Sequence, residues 1–201
     1  KLFLPGLQAD TLDPLADLTN LAEIDLKDTQ IGDFSALSQL PNLTFLALNN
    51  SNISDLSPLQ NLTKLQKLGL ISTPVTDLTP LKNLTDMTQL HLDGTNVADV
   101  VPLKGLTRLR FLHHDKTEET DIAPLAGMFE MWWLDLHSTD IASLEPLRQM
   151  ASLGRLDISK TAVTDVAPLA GLDRLSSVDI RDTDVENLAP LQDLERLRIK
   201  Q

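Results

Sequence analysis

The sequence repeats itself every 22 residues from Leu21 onward, without an insertion or a deletion. Each unit follows the pattern L-x-x-L-x-L-x-x-T-x-V-x-D-L-x-P-L-x-x-L-x-x, which residues 65–86 show almost intact. A unit this short cannot bury its own leucines, so the period restricts the chain to a fold made of stacked copies. The units begin at Leu21, Leu43, Leu65, Met87, Leu109, Met131, Leu153 and Leu175, and the first 20 residues fit the frame without its first two positions.

The spacing within one unit predicts its local structure. Leu68 and Leu70 alternate with outward residues, which is the period of a short strand with one buried face. Unit position nine is Thr in seven units and Ser51 in one, and a buried hydroxyl there would bond the turn after the strand. The following D-L-x-P-L run predicts a short helical turn, capped by Asp and with Pro in its first turn.

Stacked copies of this unit predict a single domain over residues 1–201, with nine repeats, the first of them truncated, and a C-terminal stub. We expect an α/β solenoid with a parallel β-sheet on its concave face and short 3-10 helical turns on its convex face. Only 3% of the residues are aromatic, so aliphatic side chains must form almost the whole core.

The L-x-x-L-x-L skeleton resembles that of leucine-rich repeats, and the 22-residue T-x-V-x-D-L-x-P-L variety resembles bacterial internalin-type repeats. The resemblance covers the whole chain and implies a curved right-handed superhelix. It also implies a non-enzymatic protein-binding module that uses its concave face in a secreted or cell-surface protein that engages a host, with a role in virulence. The family's usual Asn after the strand is Thr or Ser here in units two to nine, which predicts fewer donors in the turn.

Charge and composition exclude other classes of partner. The net charge of −12 repels phosphate backbones and anionic lipid surfaces, although it would attract a basic protein patch. No apolar run approaches the roughly 18 residues of a membrane span. We therefore expect a protein ligand, no nucleic acid and no membrane insertion. With no cysteine, disulfides and thiolate metal sites are excluded.

The outward positions of the predicted strands carry the candidate partner-binding residues. Phe111 and Trp133 come next to each other in neighbouring units, which predicts an exposed aromatic pair, and protein interfaces are enriched in such anchors. A solvated wall without a partner is the alternative interpretation. The predicted site consists of Phe111, Trp133, His91, His113, Asp135, Asp93, Asp115, His137, Arg155 and Asp157. A neighbouring acidic stripe, which is equally compatible with a solvated face, consists of Asp135, Asp157, Asp179, Asp182 and Asp184.

Three histidines of this surface, His91, His113 and His137, come within reach of carboxylates in the predicted rows. Nitrogen and oxygen ligands of this kind suit a divalent metal. The spacing permits such a site without requiring it, so we expect a metal-free surface and no cofactor. Catalysis is disfavoured because a flat wall of strands excludes little water from a general base.

The sixth unit departs from the pattern. His114 and Glu119 take slots where the other units place aliphatic residues facing the core. Burial of both groups would be costly unless they bond each other or a local bulge exposes them. A functional pair and a local packing adaptation are both open interpretations. Four methionines also fill apolar slots nearby, namely Met87, Met128, Met131 and Met150, as expected where packing is irregular.

Neither end of the sequence carries the polar cap that a solenoid needs. Lys200 even takes a slot that is usually apolar. We therefore expect flanking domains, either in a longer parent protein or as capping subunits. In that setting the alternative function is substrate recruitment within a larger multidomain enzyme or effector.

Overall fold

The computed structural model describes residues 1–115 and 120–201, and in this part of the chain every unit contributes a strand to one parallel sheet. The ten strands of this sheet follow one another in chain order. They are β1 Leu2–Phe3, β3 Glu23–Asp25, β5 Phe45–Ala47, β6 Lys67–Gly69, β7 Gln89–His91, β8 Phe111–His113, β9 Trp133–Asp135, β10 Arg155–Asp157, β11 Ser177–Asp179 and β12 Arg198–Lys200. A second, two-stranded parallel sheet pairs β2 Gln8–Thr11 with β4 Gln30–Asp33.

Short 3-10 helices follow the strands on the way back to the next coil. They span Asp13–Leu15, Ser35–Gln39, Ser57–Leu59, Thr79–Leu81, Val101–Leu103, Ala123–Leu125, Glu145–Leu147, Ala167–Leu169 and Ala189–Leu191. A continuous parallel sheet with short 3-10 helices confirms the predicted fold class. The extent of the domain and its missing caps stay predictions.

The coils stack in step, as the constant period predicts. Leu68 pairs with Leu90, and Leu90 pairs with Leu112, each 22 positions further along the chain. All three side chains are buried in one continuous core, which also contains the four methionines. An aliphatic ladder of this kind fixes the register, because a slip of one residue would turn every buried side chain outward.

The last strand departs from this register and corrects one prediction. Ile199 pairs with Val178, only 21 positions earlier, and Lys200 pairs with Asp179. The shift places the apolar Ile199 in the inward slot and sends Lys200 outward, where its Nζ lies 3.2 Å from Asp179 Oδ2. Lys200 therefore does not occupy the apolar slot that the strict 22-residue frame assigned to it.

The turn after each strand depends on two positions. At unit position eight the backbone is left-handed, with φ between 54° and 58° at Asp28, Asn50, Ser72, Ser138, Lys160 and Asp182, and Gly94 also has positive φ. At position nine the Thr hydroxyl donates to the carbonyl three residues earlier, as in the 2.7 Å bond from Thr73 Oγ1 to Leu70 O. This confirms the prediction for the described Thr residues, whereas the buried Oγ of Ser51 has no hydrogen-bond partner within the described residues.

The Asp of the repeat bonds to the start of the 3-10 helix, but it stands one residue before the N-cap and is not the cap that the sequence predicted. Asp77 Oδ1 accepts a 2.7 Å hydrogen bond from the backbone N–H of Thr79, the first residue of its 3-10 helix. The N-cap itself is Leu78, which makes no side-chain capping bond. The carboxylate thus satisfies the first free N–H through a two-residue Asx turn, and Pro80 occupies the first turn as predicted.

Candidate functional site

Seven of the ten predicted site residues share neighbouring rows on four consecutive strands, β7 to β10, and the other three, Asp93, Asp115 and His137, follow the ends of β7, β8 and β9. One row runs from His91 through His113 and Asp135 to Asp157, and each of these residues pairs directly with the next. A second row joins Phe111 to Trp133 and Trp133 to Arg155 in the same way. The lateral order that the repeat predicted is therefore present in the sheet.

The aromatic residues form a cluster that is more enclosed than the sequence predicted. Phe111 and Trp133 are half-buried and not fully exposed. Trp132 is the reason, because its ring lies 5.5 Å from that of Phe111 and 6.5 Å from that of Trp133. The Arg155 guanidinium lies over both indoles, 5.3 Å from Trp132 and 5.4 Å from Trp133, which is within the range of cation–π attraction. We call Phe111, Trp132, Trp133 and Arg155 the aromatic cluster.

Trp132 is the residue that sequence reasoning missed. It stands just before the strand, at a position that other units fill with small or polar residues such as Ala22, Thr44 and Ser176. Gly154 occupies the same position in the next unit, and a Cβ atom there would lie 2.6 Å from Trp132 Nε1. A bulky indole beside a glycine one period later was the signal in the sequence.

The two histidines His91 and His113 lie against each other and against the aromatic cluster. Their rings are 4.6 Å apart at an angle of 76°, and the His113 ring lies 4.5 Å from that of Trp133. Burial lowers the pKa of His91 to about 4, and the neighbouring His113 lowers it further in the same direction. Burial also lowers the pKa of His113. Both imidazoles are therefore neutral at pH 7.

The carboxylates beside these histidines are shifted in the opposite direction. Burial raises the pKa of Asp93 to about 7, and the hydrogen bond and negative charge of Asp115 add to this shift. Burial also raises the pKa of Asp135 to about 6, although the hydrogen bond from the backbone N–H of His137 opposes it. This part of the sheet thus holds less negative charge at neutral pH than its sequence indicates.

His137 lies among a different set of partners. Its Nδ1 is 2.8 Å from Ser159 Oγ, and its Nε2 is 3.1 Å from Ser138 Oγ. Ser159 in turn donates from its hydroxyl and its backbone N–H to Asp157 Oδ1. Both ring nitrogens of His137 are therefore occupied by hydroxyl groups, so His137 does not join His91 and His113.

An open groove of about 600 Å³ continues from the aromatic cluster toward the last strand. It is lined by Trp133, Asp135, Arg155, Leu156, Asp157, Ser176, Ser177, Asp179, Arg196, Arg198 and Lys200. Asp179 is not a free acidic group of the predicted stripe, because Arg181 binds both of its carboxylate oxygens at 2.9 and 2.8 Å. The groove therefore carries both signs of charge beside an aromatic wall.

His114 is completely buried, as its slot in the repeat predicts. Burial lowers its pKa to about 4, so the imidazole is neutral in the core. Glu119, the other unusual residue of this unit, lies outside the described residues, so the functional pair and the local packing adaptation both stay open interpretations.

Comparisons with known proteins agree with this geometry. A family model for leucine-rich repeats, in two copies, matches residues 41–83. An internalin from Listeria monocytogenes has a TM-score of 0.95 and 33% identity, and the match covers 99% of this chain and 59% of that one. Internalin C2 from the same species has a TM-score of 0.67 and 28% identity, covering 96% of this chain and 76% of that one. No curated protein matches the chain.

A third solved structure, the plant peptide hormone receptor RGFR1 in complex with RGF2, has a TM-score of 0.84 over 98% of this chain and 34% of that one. Its identity of 16% shows a likeness of fold alone. The stacked coils and these matches define a leucine-rich repeat protein. Its repeats are of the internalin-like class, as the sequence resemblance predicted.

The chain spans 59% of the length of the Listeria internalin that it matches at 33% identity. Internalin-like solenoids are typically non-enzymatic scaffolds, and the similarity is consistent with a protein-binding module. In residues 1–115 and 120–201 no helix has the length and apolar character that crossing a bilayer requires.

Proposed function

We propose that the chain is a non-enzymatic module that binds a protein through the concave face of its sheet, with the aromatic cluster as the anchor. The observation that carries the proposal is the stacking of Phe111, Trp132 and Trp133 with Arg155 on strands that otherwise present polar side chains. Trp and Arg are the residue types that contribute most to binding energy at protein interfaces.

The cluster is suited to this role because it is largely assembled before any partner arrives. Trp132 packs over Gly154 and against Phe111, and Arg155 lies across both indoles. Side chains that are already ordered lose little conformational entropy on binding. Trp133 and Arg155 also line the open groove beside the cluster.

The partner surface that fits this site is amphipathic. An apolar side chain would pack on the indoles, and charged groups of the partner would face Arg155, Arg198 and the row of aspartates. Electrostatic complementarity of this kind sets the orientation and the association rate more than the affinity. The resemblance to internalins supports a bacterial secreted or cell-surface protein whose partner belongs to a host. In the alternative function, within a longer multidomain enzyme or effector, the same concave face would recruit a substrate.

The proposal is tested with the double variant W132A/W133A and the matched control F129A. Phe129 is 53% exposed and lies outside the sheet, after a 3-10 helix. Candidate partners from a host-cell surface fraction are identified by cross-linking to the immobilised chain, and the dissociation constant of each is then measured by surface plasmon resonance. We expect W132A/W133A to raise the dissociation constant for the true partner by at least 100-fold, and F129A to raise it by less than threefold.

Two results would contradict the proposal. One is an unchanged dissociation constant for the double variant, which would place the interface elsewhere. The other is an equal loss of affinity in F129A, which would show that exposed aromatic rings bind the partner non-specifically. Circular dichroism of each variant confirms that its coils are intact.

A further inference from the structure

We infer that His91, Asp93 and His113 form a binding site for one divalent transition-metal ion of the zinc type. Each of the three residues offers a ligand atom, and these atoms all lie within 4.8 Å of one another. The inference departs from the metal-free surface that the sequence favoured, and it places His137 outside the site.

The backbone holds the three residues together. His91 and His113 are direct neighbours across β7 and β8, and the backbone N–H of Leu92 donates to His113 O at 2.8 Å. Asp93 follows Leu92 and points to the same side of the sheet as His91, because outward residues alternate with buried ones. The ladder thus fixes the two histidines, and in the turn after β7 the backbone N–H of Ser72 donates to Asp93 O at 2.8 Å.

The distances allow metal binding after small side-chain movements. Two ligands on one tetrahedral zinc ion, each about 2.05 Å from it, lie about 3.3 Å apart. The separation between His113 Nδ1 and Asp93 Oδ2 is 4.0 Å, and all three ligand atoms lie within 4.8 Å of one another. Side-chain atoms must therefore move by up to about 1.5 Å to reach the zinc-bound separation.

Within the described residues, the imidazole of His113 is not engaged in a protein hydrogen bond. Its Nδ1 is too far from Asp93 for one, and its Nε2 is buried without a hydrogen-bond partner among residues 1–115 and 120–201. The rings of His91 and Trp133 pack against it and fix its plane. This packing holds the ring in a fixed orientation, which is the task that outer partners perform for metal-ligating histidines.

The chemistry of the donors selects the kind of ion. Two neutral imidazoles and one carboxylate suit zinc, cobalt, nickel or copper, whereas magnesium and calcium prefer oxygen ligands throughout. The carboxylates of Asp115 and Asp135 lie close enough to Asp93 to repel its negative charge. A bound cation would offset the repulsion among these carboxylates.

The first experiment measures Zn²⁺ binding to the full 201-residue chain, stripped of metal with a chelator, by isothermal titration calorimetry and by elemental analysis after dialysis. We expect one equivalent of zinc. H91A and H113A should each weaken binding by at least 30-fold, and D93N by at least tenfold. The matched control is H137A, whose imidazole bonds to Ser159 and Ser138, and it should change the affinity by less than threefold.

The second measurement uses Co²⁺ as a spectroscopic probe of the wild-type chain. Nitrogen and oxygen coordination of low symmetry gives visible absorption bands, which we expect to be lost in H91A and H113A and kept in H137A. If an alanine variant does not fold, H91N and H113N provide the same comparison. Binding of less than a tenth of an equivalent of zinc, an unaltered affinity in both histidine variants, or an equal loss in H137A would overturn the site.

These measurements use metal alone and no protein partner. Failure of the metal site would therefore leave the proposed protein-binding function untouched, and a failed partner experiment would leave the metal site untouched.

Discussion

Two pairs of strands in the sheet, β5–β6 and β8–β9, have buried leucines at equivalent positions. Their outward side chains nevertheless differ in kind. On β5 and β6 the outward row contains Ala47 and Gly69, whereas on β8 and β9 the same row contains His113 and Asp135. Both pairs of strands have the same 22-residue register. The comparison shows that the repeat fixes the inward face and leaves the outward face free to carry a site.

The strongest test of this comparison concerns the shared core. Leu68 and Leu134 occupy equivalent slots in the two regions, and both are fully buried. We expect L68A and L134A each to lower the free energy of unfolding by about 3–4 kcal/mol, because each leaves a cavity among aliphatic neighbours. Denaturant unfolding followed by circular dichroism measures the loss, and K67A, an exposed neighbour on β6, serves as the control. A twofold difference between the two leucine variants would show that the cores are not equivalent.

The next test addresses what is special about the second region. In G154A the new Cβ would lie 2.6 Å from Trp132 Nε1 and 3.0 Å from its Cδ1, so the indole must move. We expect a cost of about 1–2 kcal/mol from this overpacking and a red shift of the tryptophan emission. At Gly127 a Cβ would meet no heavy atom within 4 Å, and G127A should leave the spectrum unchanged. An unshifted spectrum in G154A would contradict the packing of Trp132 on Gly154.

A smaller effect is expected in the first region, at the turn after the strand. T73V removes the hydroxyl that donates to Leu70 O at 2.7 Å, which should cost about 1 kcal/mol. Ser51 occupies the same unit position, but its buried Oγ has no hydrogen-bond partner within the described residues. S51A should therefore be neutral in thermal unfolding. Equal losses in T73V and S51A would mean that the hydroxyl bond does not close the turn.

The smallest effect concerns the end of the sheet and depends on pH. Hydrogen bonds from Arg181, and then from Lys200, lower the pKa of Asp179 to about 2. Because the folded-state pKa lies below the value of 3.8 in the unfolded chain, this carboxylate stabilises the fold above pH 4 and loses that contribution as the pH falls through 2.

The size of this contribution is reduced by solvent. The side chains of Arg181 and Lys200 are 55% and 60% exposed, so we expect D179N to cost only about 0.5–1 kcal/mol at pH 7. Thermal unfolding at pH 7 and pH 2 measures it, and the difference between D179N and the wild type should shrink at the lower pH. A difference that grows at pH 2 would contradict the sign of the pKa shift.

The candidate site was predictable in its order along the sheet but not in its contacts. The rows of His91, His113 and Asp135 follow from the period alone, since residues 22 positions apart pair across parallel strands. The period says nothing about how far a side chain reaches sideways. It therefore could not show that the Trp132 ring packs against Phe111, or that His137 bonds to Ser159 and lies apart from the other two histidines.

The sequence by itself determined the coil, because each inward position is selected for burial and that selection recurs with a fixed period. The aliphatic ladder, the Thr that closes most of the described turns, and the Asp and Pro at most of the 3-10 helices could all be predicted from the residues. Tertiary structure alone decided the shift of β12, the packing of Trp132 on Gly154 and the meeting of His91, Asp93 and His113. The last two features depend on the sizes and rotamers of side chains in neighbouring coils, which no repeat pattern specifies. The shift of β12 depends on the burial of Ile199 in place of Lys200, where the 22-residue period breaks.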